Sequence, residues 1–178
     1  YFPIVAMNAI LGGLFSSRIN LNLREAHGYT YGASSYYDWR CQSGPFVIST
    51  AVQSEVTAAA ITEVLGEIDR MRAEQVGEDE LTLATSYLEG VFPIRYETTS
   101  AIAAALANMV TFKLPETYYD TYRSNISAVT TLDVLKAAKQ YVHPDQLQIV
   151  VVGDPALLMS PIEALQIGPL TVLEGVEA

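Results

Sequence analysis

Leu11–Tyr37 reads LGGLFSSRINLNLREAHGYTYGASSYY, and that order of parts leaves few folds open. A glycine pair comes first, followed by Ser16 and Ser17, either of which can cap a helix. The predicted helix runs to about His27, carries Arg24 in its last turn, and stops at Gly28, the residue type suited to a left-handed C-cap. A strand bearing alternate tyrosines follows. At about 100° per residue, Phe15, Ile19, Leu23 and Ala26 share one helical face. Arg24 falls roughly opposite, away from the stripe expected to dock on the core.

The rest of the chain reads as a layer that holds this stretch. Residues 1–11 are apolar and read as a helix end stopped at Gly12-Gly13, or as the start of a buried strand. Residues 30–38 and 45–53 read as two strands around the turn Arg40-Cys41-Gln42-Ser43-Gly44, an antiparallel hairpin. Tyr31, Ala33, Ser35 and Tyr37 line one face of the first strand; Phe46, Ile48, Thr50 and Val52 line one face of the second. Helices are predicted over 54–74 (capped by Ser54), 78–92 (interrupted by Pro93), 98–111, 116–125 (with Pro115 at its start), about 131–142 (capped by Thr130 or Thr131) and 156–166. Leu147–Val152 reads as a buried strand, and Leu170–Leu173 as a short one.

Strands adjacent to each other, beside helices in quantity, define an α+β fold with helices packed on one face of a mixed, mainly antiparallel sheet. The predicted strands are too few for a complete sheet, so its first strands are expected before residue 1. The opening YFPIVAMNAI, with neither an initiator Met nor a cap, carries the same expectation of a longer polypeptide. Residues 1–166 are expected to form one domain, N-terminally incomplete, and 167–178 a tail.

Composition closes off several functions. Ten basic against twenty acidic residues give a net charge of −10 with no basic cluster, which argues against nucleic acid as a partner. One cysteine, Cys41, excludes an internal disulfide but does not fix a compartment. A soluble protein of the bacterial cytoplasm or periplasm is expected, with no membrane span. His27 and His143 are the only histidines, and the chain contains neither H-x-x-E-H nor H-E-x-x-H, so no metal site is expected. There is no phosphate loop and no G-x-S-x-G.

Arg24 and Tyr31 then stand out. The structural account of them is good: a cation is favoured at a helix C-terminus, and tyrosine is an ordinary strand residue. The functional account has both projecting into a shared cleft, where two donors suit a peptide carbonyl or an oxyanion. Residue chemistry alone leaves both accounts open.

The pattern LGG-x-x-SSR-x-x-x-x-LRE-x-x-G-x-x-Y, here Leu11 through Tyr31, resembles the C-terminal-half signature of the pitrilysin (insulinase-type) family of zinc metallopeptidases, the inverzincins. The resemblance extends more weakly along the chain to the late LQIVVVGD stretch. Ile19 stands where the family usually has Leu, and Gly-Tyr-Thr-Tyr replaces a Gly-Leu-Ala-Tyr type. The resemblance implies a processing-peptidase-like half-domain without metal. Its partner would be a homologous domain or subunit bearing H-x-x-E-H and zinc, either fused or in a heterodimer. It further implies that Arg24 and Tyr31, seven residues apart, hold a peptide substrate opposite that metal and stabilise the transition state. Gly28 would let both side chains face one way, and Gly12 and Gly13 would serve the turn before the helix. The alternative is a non-catalytic structural or interaction subunit of the same fold.

Overall fold

The computed structural model describes residues 1–173. Helix α1 (Phe2–Asn8) opens the chain and widens into a π-helical turn over Ala9–Gly13. After the loop Leu14–Ser17, α2 (Arg18–Asn20) widens in the same way over Leu21–Ala26. Strands β1 (Ala33–Tyr37) and β2 (Phe46–Thr50) follow, and then α3 (Thr57–Ala73), α4 (Glu78–Ile94), α5 (Thr99–Thr111), α6 (Tyr118–Ser127), α7 (Thr131–Tyr141) and α8 (Pro155–Glu163).

The core is built on α1 and the π turn that continues it: Ile4, Ala6 and Met7 of the helix and Ile10 and Leu11 of the turn are buried, and α1 packs against α4, α6 and α7. Ile19 and Leu23 continue that seam from α2, at 1% and 0% exposure. Ala60, Ile68 and Met71 of α3 meet Val134, Ala137 and Ala138 of α7 from the other side. Together, Phe2–Ala26 is long and apolar enough to cross a membrane by length and composition alone. More than half of its most apolar stretch is nevertheless buried inside the protein.

The hairpin forms as predicted. β1 and β2 are antiparallel with Ala33 opposite Thr50, Ser35 opposite Ile48 and Tyr37 opposite Phe46. Ala33, Tyr37, Phe46 and Ile48 pack on the core, while Ser34, Tyr36 and Ser49 of the alternate face are exposed. Burial pushes the Tyr37 phenol up to about 12. Among the described residues these two strands are the whole sheet.

Helix termini follow local chemistry. The Thr98 hydroxyl accepts from Ala101 N–H at 3.1 Å, and Asp154 accepts from Ala156 N–H at 2.9 Å. Thr130 and Asp133 form a reciprocal capping box on α7. Ser54 does not cap α3: it opens a short 3₁₀ turn, Ser54–Val56, ahead of that helix. Pro93 does not interrupt α4, which runs to Ile94. It sits in the final turn, where its missing N–H removes the one bond to the Glu89 carbonyl and the helix ends one residue later.

Further expectations from the sequence are corrected. Leu147–Val152 is not a buried strand. It pairs with nothing among the described residues, and Val150 and Val152 are 86% and 94% exposed. Its β-branched run is suited to a sheet, but neither β1 nor β2 pairs with it. Phe15 is not on the buried helical face: it precedes α2 in the loop, where helical spacing does not apply, and is 73% exposed. Ala26 is also exposed, because the wider π turn carries it off the Ile19–Leu23 stripe. Beyond α8, Leu170–Leu173 forms no strand, and the last five residues of the expected tail lie outside the described residues.

Candidate functional site

The segment around Arg24 and Tyr31 is positioned by three local devices. The first is the glycine pair. Gly12 is buried in the π turn after α1, and a Cβ there would lie 2.5 Å from Ser35 Oγ and 2.8 Å from Ser35 Cβ. Gly12 is therefore a contact glycine that lets the helix backbone reach β1, not a residue of the turn before α2. The Ser35 hydroxyl donates to Asn8 Oδ1 at 2.7 Å across the same contact. Gly13 ends the π turn, packed against Asn8.

The second device is Asn20, which the sequence analysis did not single out. Its Nδ2 donates to Ala33 O at 2.7 Å and its Oδ1 accepts from Ala33 N–H at 2.8 Å. A buried side-chain amide thus plays the part of a neighbouring strand and ties α2 to the start of β1. An asparagine in a helical segment is poorly placed by propensity, and that was the available signal.

The third device is the helix stop. Gly28 has φ +65°, as its place after the helix predicts. Tyr29 N–H donates to Leu23 O at 2.8 Å and Gly28 N–H to Arg24 O at 3.2 Å, a widened version of the usual glycine-terminated cap. The extra residue in the turn comes from the π-helical winding. Beyond it, the Thr30 hydroxyl bonds Ala51 O at 2.8 Å and accepts from Gly32 N–H at 3.1 Å, which fixes the approach to β1 against the end of β2.

These devices bring Arg24 and Tyr31 to one open cleft of about 500 Å³, whose other walls are Gly28–Thr30 and Ala51–Gln53. Tyr31 is fully exposed, at 102% of its reference area. The Arg24 side chain is only 16% exposed. Its guanidinium carbon lies 3.3 Å from the centroid of the Phe15 ring. Its Nε and Nη2 both donate to Glu25 Oε1, at 2.9 and 2.6 Å.

The other basic residue of the motif has a different task. Arg18 is buried and holds Glu80 of α4 through two parallel bonds, Nε to Oε1 at 2.7 Å and Nη2 to Oε2 at 2.8 Å. Glu80 Oε2 also accepts from Gly77 N–H at 2.9 Å, so one carboxylate caps α4 and neutralises Arg18. That hydrogen-bonded guanidinium holds the Glu80 carboxyl below its usual range.

The histidines do not form a metal centre. His27 stacks on Tyr29 with ring centroids 4.9 Å apart, and its Nε2 lies 3.8 Å from Glu63. His143 is exposed in the turn after α7. Among the described residues no group of three or more His, Cys, Asp or Glu is arranged to hold a metal ion. The donor set of the described residues therefore does not fit zinc. Cys41 is exposed on the hairpin turn.

Comparison with known proteins bears on this arrangement. The family model of the peptidase M16 inactive domain matches residues 1–88, which contain the glycine pair, Asn20, Arg24, Gly28, Tyr31 and the hairpin. No curated protein matches the chain in sequence. Among solved structures, the peptidase M16 inactive domain from Pseudomonas fluorescens is similar with TM-score 0.75 and 24% identity, covering 80% of this chain and 34% of that one. A protease from Helicobacter pylori is similar with TM-score 0.67 and 17% identity, covering 80% and 35%. A candidate zinc protease from Bordetella pertussis Tohama I follows with TM-score 0.66 and 16% identity, covering 78% and 76%. This chain spans about a third of the length of the first two. At these identities the likeness shows the fold, the α+β architecture of that domain. Residues 1–88, just under half of the chain, match the family of the peptidase M16 inactive domain, and the shared fold supports the same assignment, the C-terminal-type half of the pitrilysin metallopeptidases.

Proposed function

We propose that this chain is the non-metal half of a two-half zinc metalloendopeptidase, and that Arg24 and Tyr31 hold the peptide substrate opposite a zinc site carried by another domain or subunit. The observation that supports this most directly is that the two side chains border one open cleft at the end of a hairpin, although they come from a helix and a strand approach. The zinc-bound water and its base would belong to the other half, which the resemblance expects to carry H-x-x-E-H. This chain contributes donors. The exposed Tyr31 hydroxyl is free to reach an oxyanion, and Arg24 can orient a peptide carbonyl. The cleft has backbone walls at Thr30 and Ala51–Gln53, which suit an extended peptide.

A second reading, a structural or interaction subunit of the same fold, has one observation in its favour: the Arg24 guanidinium already has a carboxylate partner in Glu25. Peptide cleavage by this chain together with its zinc-bearing half separates the two. Tyr31→Phe and Arg24→Ala should each lower kcat/KM by about 10²-fold at unchanged thermal stability, the usual loss for one transition-state donor. Chelator should abolish the activity, whereas the isolated chain should bind no stoichiometric zinc by calorimetry. Cleavage indifferent to both substitutions would return the pair to helix-end and strand packing. Absence of cleavage in every combination would favour the scaffold.

A further inference from the structure

Phe15 has no evident reason to be a phenylalanine as far as the core is concerned. It lies in the loop Leu14–Ser17, is 73% exposed, and is absent from the hydrophobic residues that pack on the core. An aromatic ring of that exposure gains little from burial. What it does touch is Arg24, whose guanidinium carbon lies 3.3 Å from the ring centroid, a close stacked approach. Glu25 takes the Nε and Nη2 donors of the same guanidinium. One face and one edge of Arg24 are thus occupied by its own chain. Among the described residues Nη1 carries no hydrogen bond, and Arg24 borders the cleft shared with Tyr31.

We infer that Phe15 is a positioning residue for the proposed peptide site: its ring is the platform that fixes the plane of the Arg24 guanidinium, with Glu25 fixing its rotation, so that the remaining edge faces substrate. This rests on the reading that Arg24 binds peptide. The physical reason is entropic. An arginine side chain at a helix end samples many rotamers, and ordering it on binding costs affinity. A ring stacked against the guanidinium and a carboxylate bonded to one edge order it beforehand. Arginine suits such a platform because its delocalised plane stacks, whereas a lysine ammonium would not lie flat on the ring.

The test is a set of Phe15 variants in the two-half enzyme, with cleavage of a peptide substrate as readout. Phe15→Leu keeps apolar bulk and removes the ring. It should raise KM about five- to tenfold with kcat nearly unchanged, whereas Phe15→Tyr should retain wild-type KM. In an Arg24→Ala background, Phe15→Leu should have no further effect, since the two residues act through one another. If Arg24→Ala lowers cleavage while Phe15→Leu leaves KM unchanged, the inference falls and the proposed function stands. If Arg24→Ala itself leaves cleavage unchanged, both fall. A second measurement does not depend on activity. The Arg24 Nε–H proton resonance of the 178-residue chain should carry an upfield ring-current displacement that Phe15→Leu removes and Phe15→Tyr keeps. An unshifted resonance in the wild type would overturn the platform directly.

Discussion

Asn20 pairs both backbone groups of Ala33 with a single side chain, donating at 2.7 Å and accepting at 2.8 Å. Ala33 opens β1, two residues after Tyr31, so this amide fixes the distance between the helix that carries Arg24 and the strand that follows Tyr31. Asn20→Ala leaves a backbone N–H and a C=O without those partners in a largely buried position. The expected loss is about 2–4 kcal/mol in chemical denaturation, the cost of two unsatisfied groups. Asn20→Asp, which can still accept from the Ala33 N–H but not donate to its carbonyl, should fall between the two. A loss below half a kcal/mol for Asn20→Ala would show that the pairing carries no weight.

The Arg18–Glu80 pair makes stability depend on pH. Glu80 has its carboxyl lowered from the ordinary value of 4.5, first by the hydrogen bond from Arg18. A group lowered on folding contributes stability that is complete above its unfolded value and is lost as pH falls through the folded value. The urea midpoint should therefore drop as pH falls below about 4.5, and part of that slope should vanish in Arg18→Met. Glu80→Ala should cost more than Arg18→Met at neutral pH, because it leaves a buried guanidinium alone, whereas the Glu80 side chain is 37% exposed and can hydrate. Equal costs, or a pH slope unaltered in Arg18→Met, would contradict this.

Gly12→Ala places a methyl group 2.5 Å from Ser35 Oγ, whose rotation is held by the bond to Asn8. The expected destabilisation is about 1–3 kcal/mol, typical of overpacking a tight contact. A Gly12→Ala, Ser35→Gly double variant should recover much of it, because the clash is with that side chain. Failure of the double variant to recover would place the strain elsewhere in the π turn.

Gly28→Ala is the complementary case. Nothing lies within 4 Å of a Cβ built there, so the cost is purely conformational. With φ at +65°, an alanine should lose about 1–2 kcal/mol. Gly28→Asn, which tolerates the left-handed region better, should lose less. A thermal melt of the three proteins decides it: an alanine variant as stable as wild type would mean that the stop is not held in this conformation.

Much of this molecule can be read from the order of its residues. The glycine stop at Gly28, the hairpin, the alternating faces of β1 and β2, and the capped starts of α5 and α7 all follow from rules that act over four or five residues. The spacing from Arg24 to Tyr31 is also local, so the pair could be singled out before any fold was known.

What tertiary structure decided are the relationships that no local rule contains. Phe15 looked like a core residue by spacing, but the helix begins after it, and its ring faces Arg24 instead. The π windings after α1 and α2 change the residues per turn, so faces drawn at ideal helical spacing slide off register by Ala26. Leu147–Val152 has the composition of a buried strand, yet a strand is buried only by neighbours, and neighbours are set by topology rather than by propensity. Arg18 and Arg24 are both arginines of one short motif. One meets a glutamate of α4 and is buried as structure; the other ends at an open cleft. Side-chain type determined that both would seek a carboxylate; Arg24 finds one in its own neighbour Glu25, whereas only the packing of a distant helix brings Glu80 to Arg18.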